Sequence, residues 1–420
     1  MEKSGKFRLT SLERNWILYD VGNSAFVLMV ATLIPIFFNA LAAAGGLSSV
    51  EYLAYWGYAS SAVTIITAVL SPILGTVADT KGFKKPIFIL CVFVGIVGCC
   101  AMGAVSAWLP FLVIFVIAKV GFSGSLVFYD SMLSDVTTPE RMDEVSSRGY
   151  AWGCIGSCVP FVVCLGLVLG AGSIGISQMT ALNLALLLTA AWWLLTTLPL
   201  LKSYKQLYYV EVEKHAVRQS FARIGHTLRH LPEDKQVFWF LLAFFCYIDG
   251  VYTIIDMATA YGTALGLDTT GLLLALLVTQ IVAFPSALIF GRLSNKYPSA
   301  KLIPVCIAAY AGIAVFAFFL TRQWQFWVLA VIVGMFQGGV QALSRSHFAK
   351  IIPPEKSGEY FGLFDICGKG ASFLGTMIVS VGSQLTGSAN VGVGSLIVLF
   401  IVGFVLFRVS CKKKSRSGMR

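Results

Sequence analysis

The sequence predicts an all-α integral membrane protein with twelve transmembrane helices in two pseudo-symmetric six-helix halves. Three observations predict it. Apolar runs of about 20 residues, enough to span a bilayer at ~1.5 Å of rise per residue, recur along the whole chain. Charge is scarce: of 420 residues, 57% are hydrophobic and 12% charged, where an ordinary soluble domain carries roughly 25%. The chain also repeats itself. Gly75-Thr-Val-Ala-Asp79 returns as Gly291-Arg-Leu-Ser-Asn295, an offset of 216. Gly124, followed fifteen residues later by Pro139-Glu140, returns as Gly339 before Pro354-Glu355, an offset of 215. In a membrane chain, tandem halves place a site at their interface.

The apolar runs fall at 16–41, 53–78, 86–106, 109–136, 149–171, 179–200, 237–264, 269–292, 301–320, 325–350, 358–384 and 390–409. The only long hydrophilic stretch, 201–236, separates an N-terminal half (1–200) from a C-terminal half (237–409), which ends in a basic tail (410–420). Within that stretch Phe221, Ile224, Leu228 and Leu231 recur at helical spacing among Arg223, His226, Arg229 and His230. This pattern predicts a basic amphipathic helix on the inner leaflet; a solvated linker packed on the bundle is the alternative.

The net charge of +11 reports topology rather than a polyanionic partner. With the N-terminus in the cytoplasm, Arg8, Arg14, Lys81, Lys84, Lys85, Arg141, Arg148, the 201–236 set, Arg292, Lys296, Lys301, Arg345, Lys350, Lys356 and the Lys412-Lys413-Lys414 tail all fall inside, and the outside loops hold only Arg322. That asymmetry predicts both termini in the cytoplasm and no nucleic-acid partner; the short loops between the runs point to a bacterial-type plasma membrane. The ten cysteines lie in predicted helices or the tail, without metal spacing or facing pairs, so neither disulfides nor a metal are expected. Ala40-Leu41-Ala42 resembles a signal cleavage site, but the run before it is too long and contains Asp20 and Asn23, so no cleavable leader is expected. No phosphate-binding GxxxxGK[ST] loop, HExxH or nucleophile elbow occurs, so no enzyme activity and no cofactor are expected.

The loop after the second run reads Gly75-Thr-Val-Ala-Asp79-Thr-Lys81-Gly82-Phe-Lys84-Lys85. It resembles the GxxxD(R/K)xG(R/K)(R/K) signature of the major facilitator superfamily. The resemblance implies that Gly75 lets two helices approach, that Asp79 caps the N-terminus of the eleventh helix, where the dipole favours an anion, and that the basic residues pair with Asp135 at the foot of the fourth helix. Together these would latch the cytoplasmic side. Thr80 stands where the signature has its first basic residue, with Lys81 one position later, and Gly291 with Asn295 forms a copy lacking the acid, so the second latch is expected to be weaker. Three longer strings, Trp16-Ile-Leu-Tyr19-Asp20-Val-Gly-Asn23-Ser24-Ala25-Phe26, Tyr247-Ile-Asp249-Gly250 running on to Gln280 and Pro285, and Gln337-Gly-Gly-Val-Gln341-Ala-Leu-Ser344-Arg345 with Pro353-Pro354-Glu355 and Gly368-Lys369, resemble the vacuole-effluxer family of that superfamily. This implies a small-molecule transporter, and the family's fungal members are autophagy-linked vacuolar amino-acid exporters.

Charges inside hydrocarbon cost at least roughly 2.5–3.5 kcal/mol each, so they normally face a cavity or a partner. Lys119 and Asp130 in the fourth run are eleven residues apart, within about 20° of one face. Asp249 and Asp256 share a face of the seventh run. Gln337, Gln341 and Arg345 form a stripe on the tenth, and Asp20 and Asn23 lie about one turn apart on the first. In the superfamily these four helices line the central cavity. Asp365 and Lys369 form an i, i+4 pair on the eleventh, with Lys369 roughly 16 Å from its cytoplasmic end by helix rise. The pair is either self-neutralised or a switch whose separation favours proton uptake. Asp249, with no basic residue one turn away on its own helix, is the leading proton-coupling residue unless Arg345 or Lys119 neutralises it across the cavity; Asp20 and Asp130 are alternatives as gate residues. His347 and Trp152, Trp192 and Trp193 are expected to pack or to sit at the lipid interface.

The expectation is a monomeric secondary transporter, coupled to protons or another ion. Mixed acids and bases suit a zwitterion, with Lys119, Arg345 or Lys369 for a carboxylate and Asp20, Asp130, Asp249 or Asp256 for an ammonium. A lipid or lysolipid translocase and a non-transporting scaffold or receptor are the rival readings.

Overall fold

A computed structural model describes residues 7–211, 227 and 229–412. Most of the stretch expected to form the amphipathic helix, and most of the basic tail, lie outside the described residues. Among the described residues twelve long helices follow in order: α1 (Ser11–Ala44), α2 (Ser49–Ala78), α3 (Lys84–Met102), α4 (Trp108–Ser131), α5 (Met142–Leu169), α6 (Gln178–Ser203), α7 (Lys235–Ala264), α8 (Thr269–Leu293), α9 (Ser299–Phe318), α10 (Gln323–Ile351), α11 (Ser357–Thr386) and α12 (Ala389–Lys412). Eleven are both long and apolar enough to cross a bilayer. The twelfth, α11, has 30 residues and carries Glu359, Asp365 and Lys369. Large apolar side chains such as Leu90, Phe93, Val162, Leu195, Ile289 and Val405 face outward, a surface suited to lipid rather than water.

The helix ends follow local chemistry. Thr10 with Glu13 and Ser48 with Glu51 form capping boxes at the starts of α1 and α2, and the Asp268 carboxylate accepts the Gly271 amide at 2.7 Å to start α8. Between Ala31 and Leu33 the helical path of α1 breaks at Thr32. Pro35 explains the break, because its ring crowds the carbonyl four residues earlier and it has no amide to donate. The C-terminal helix is likewise interrupted between Gly394 and Ile397. These ends extend the predicted runs by up to seven residues. The largest difference is at α5, which starts at Met142 where the run started at 149, because the polar first turn is held by contacts described below.

Within the N-terminal half, α5 presents Gly149, Gly153 and Gly156 to α1, where added Cβ atoms would press on Trp16, Ser24 and Val21. This small-residue stripe gives the close backbone approach favoured in membranes. Each half is also pinned by a tyrosine hydroxyl bonded to a serine. Tyr19 donates to Ser125 at 2.6 Å between α1 and α4, and Tyr247 meets Ser344 at 2.6 Å between α7 and α10. The halves touch along α2 with α11, and along α5 with α8 and α10. Both seams are polar at the end of the bundle that carries residues 79–85 and 135–148, called the basic end below.

Candidate functional site

The first seam brings together residues expected to form the latch. Asp79, at the C-cap of α2, accepts the Gly358 amide at 2.7 Å and the Glu359 amide at 2.8 Å. It thus occupies the N-terminus of α11, where unpaired amides and the helix dipole favour an anion. Gly75 is required because a Cβ there would overlap the Gly358 carbonyl. Of the three lysines expected to serve, the structure selects Lys84. Its side chain is 0% exposed, and its Nζ lies 3.7 Å from Asp79 and 3.5 Å from Asp135 and donates to Ser357 at 2.9 Å. Lys81 is a correction: it is exposed and lies 3.5 Å from Glu211, because Gly82 turns the loop through φ +79 and sends Lys81 outward. Lys85 is half-buried and makes no ion pair among the described residues. Farther along the seam, Ser71 donates to Asp365 at 2.7 Å.

The second seam closes with different chemistry. Asn295 does not cap α5 as Asp79 caps α11; its amide donates to Glu144 at 2.6 Å. The acids belong to the first turn of α5, and a carboxylate at 295 would repel Glu144. Glu144 also pairs with Arg148, and Asp143 holds Lys350 at 2.6 Å and the Ser346 hydroxyl at 2.6 Å. A Cβ on Gly291 would press on Ser147, so the copied glycine keeps its function of close approach. Gly291 and Asn295 were expected from sequence, whereas Asp143, Glu144, Arg148, Ser346 and Lys350 were missed, although one signal was available for Lys350. Lys350 stands at an offset of 215 from Asp135, the same charge inversion that relates Arg345 to Asp130.

Between the seams Arg345 reaches from α10 into the N-terminal half. It donates to Asp130 at 3.0 Å, to the Ser146 hydroxyl at 2.9 Å and to the Ser146 carbonyl at 3.0 Å, and lies 4.0 Å from Asp20. Its guanidinium also stacks over Trp16 and Tyr129, at 4.9 and 5.4 Å from the ring centroids, a geometry that adds cation–π attraction. Ser146 is held in turn by donating to the Ala342 carbonyl at 2.8 Å. Asp130 and Arg345, which stand 215 residues apart at equivalent places in the repeat, form a direct ion pair. Asn23 is buried and donates to the Tyr19 carbonyl at 3.1 Å, within its own helix.

Farther from the basic end, Lys119 of α4 lies 4.7 Å from the Phe122 ring centroid and 5.9 Å from that of Phe26. Asp256 is exposed. Gln341 is half-buried. The Oε1 atoms of Gln280 and Gln337 are buried with no hydrogen-bond partner among the described residues. Leaving such an acceptor unmade costs about 1–3 kcal/mol.

Asp249 corrects the expectation that it faces the cavity. It is 0% exposed and points at α11, where both carboxylate oxygens lie 2.9 Å from the Gly375 amide and Thr253 donates at 3.3 Å. Arg345 is engaged with Asp130 instead. The side chain of Lys369 lies outside the described residues. His347 packs between Phe240 and Phe407 and meets Ser299 at 3.2 Å. Trp193 is buried against Phe26 and Phe122, and Trp152 packs edge-on against Phe284.

The sequence matches the family described as vacuole effluxer Atg22 like over residues 11–140 and 134–419. The chain belongs to this family. It is 42% identical over 404 residues to the uncharacterized MFS-type transporter YxiO of Bacillus subtilis, covering 95% of this chain and 94% of YxiO. Autophagy-related protein 22 of Coccidioides immitis is 24% identical over 315 residues, covering 64% of this chain and 51% of that protein, so the chain spans about half the length of this fungal relative. The fold matches the human organic anion transporter MFSD10 with a TM-score of 0.71 at 14% identity, covering 94% of this chain and 99% of that one. It matches the Escherichia coli fucose:proton symporter FucP at 0.67 and 16%, covering 95% and 97%. The vacuole-effluxer member described here is therefore a multi-pass transporter with the major facilitator fold, not an enzyme.

Proposed function

We propose that the protein carries a small zwitterionic, amino-acid-like solute by proton-coupled alternating access, as a monomer with both termini in the cytoplasm of a bacterial-type plasma membrane. What supports this reading is the placement of two opposite charges away from the basic end, each on a different half: Lys119 of α4, over the Phe122 ring, and Asp256, exposed on α7. A zwitterion bridging them would place its carboxylate at Lys119 and its ammonium at Asp256. The unpaired Gln280 and Gln337 oxygens are suited to accept further donors. Binding across the halves favours whichever state brings them together, which is how a ligand biases an equilibrium. The 1–200 and 237–409 halves would rock about this site, with Asp79, Lys84 and Asp135 closing the cytoplasmic side and Arg345, Asp130 and Asp20 forming the gate above it. A lysolipid is the second reading, favoured by an apolar pocket between α7, α10 and α12 lined by Ile254, Met257, Tyr261, Leu329 and Val393.

Asp249 is the proposed proton carrier. Its described partners, the Gly375 amide and the Thr253 hydroxyl, are neutral donors, so taking up a proton would weaken its hold on α11. Proton-gradient-driven uptake of a neutral amino acid into proteoliposomes should fall to background in Asp249→Asn, with the melting temperature unchanged. Full gradient-driven uptake by that variant refutes the coupling role, and uptake of lysolipid in place of amino acids favours the second reading.

A further inference from the structure

The start of the inter-half linker, just past α6, is bound to the latch. The Tyr204 hydroxyl donates to Asp135 at 2.6 Å, and the Leu207 and Tyr208 amides donate to its other oxygen at 3.0 and 2.9 Å. Asp135 is thus shared: Oδ2 faces Lys84 and accepts the Tyr204 hydroxyl, and Oδ1 is occupied by the linker amides. The next residues run beside the latch loop itself. The Val210 amide donates to the Asp79 carbonyl at 2.8 Å and the Lys81 amide to the Val210 carbonyl at 3.2 Å, an isolated parallel bridge between Thr80 and Val210. Gln206 spans the two, donating to the Ala78 carbonyl at 3.1 Å and accepting the Gly82 amide at 3.0 Å. On the exposed side Lys81 lies over the Tyr209 ring at 4.8 Å and beside Glu211 at 3.5 Å.

We propose that residues 204–211 are a strap that must leave the 78–82 loop before the basic end can open, so that the linker controls the conformational cycle. The strap acts through the latch residues of its own half. Asp79 binds α11 through its side chain and the strap through its backbone carbonyl, while Asp135 Oδ2 meets both Lys84 and the Tyr204 hydroxyl and Oδ1 accepts the two strap amides. Opening the α2–α11 seam moves Asp79 and Lys84 away from Gly358 and Ser357. A strap fixed to both acids holds their loop in the closed arrangement. A partner or modification that captures the linker would then shift the transport cycle from a distance. The proposal rests on the alternating-access reading for its consequence, but not for its structural part.

The test has two arms. In the first, amide hydrogen exchange is followed in full-length protein at 204–211 and 357–360, comparing wild type with the Tyr204→Phe, Gln206→Ala double variant. Losing a hydrogen bond to a carboxylate lowers protection by about tenfold or more; the expected result is faster exchange in both segments. Faster exchange at 204–211 with 357–360 unchanged overturns the proposal. In the second arm, Thr80→Cys with Val210→Cys is oxidised to fix the strap. Amino-acid counterflow should fall at least tenfold and return on reduction, and undiminished counterflow by the crosslinked protein overturns the proposal. If wild type shows no counterflow, the transport reading has failed, and the exchange arm still decides whether strap and latch are coupled.

Discussion

Lys84→Met should open the basic end. The substitution keeps the length and apolar stem of the side chain but removes the cation that Asp79 and Asp135 share. Removing one partner from a buried ion cluster costs about 3–5 kcal/mol, because the remaining charges stay buried and uncompensated. A change of that size shifts the closed-to-open ratio by roughly two to four powers of ten. The Gly358 and Glu359 amides, which Asp79 now holds, should lose hydrogen-exchange protection accordingly. Adding Asp135→Asn should restore part of that protection, because it removes one of the two stranded charges while keeping an oxygen for the Leu207 and Tyr208 amides. The coupling energy of this double-mutant cycle should exceed about 1 kcal/mol. Additive effects would mean that Lys84 acts on Asp79 alone.

Arg345→Ala should abolish transport, and Arg345→Lys should recover little of it. The arginine binds Asp130 and both oxygens of Ser146 with separate nitrogens while stacked on Trp16 and Tyr129. A lysine supplies the charge but not the planar fork that reaches all of these at once. Steady-state exchange by Arg345→Ala should fall at least a hundredfold, and by Arg345→Lys at least tenfold, in protein that still binds detergent micelles as a monodisperse species. Wild-type exchange by Arg345→Lys would reduce the site to a point charge and remove Ser146 from any part in it.

The sequence shows what depends on local pattern and on the repeat. Asp79 on the α11 N-terminus could be anticipated because both partners sit at motif positions. Asp130 opposite Arg345 could be anticipated because the offset of 215 and the helical faces both point there. The choice of Lys84 over Lys81 could not, since it depends on Gly82 turning the loop. Asp249 was assigned to the cavity by its spacing from Asp256, yet a seven-residue spacing leaves a face roughly 20° wide of ideal, and the Gly375 amide of α11 draws the carboxylate away. Ser146, the Asp143 to Lys350 pair and the strap at 204–211 carry no periodic signal. Their partners are more than 60 residues distant in sequence, and only the folded arrangement brings them together.

The most direct measurement is counterflow of radiolabelled neutral amino acids across proteoliposomes by wild type, Lys119→Met and Asp256→Asn, each checked for unchanged melting. Wild type should exchange the solute with no gradient applied, and each substitution should lower exchange at least tenfold, since each removes one of the two charges a zwitterion bridges. A wild type that exchanges no zwitterionic solute, or exchange that survives both substitutions intact, would contradict the proposed site.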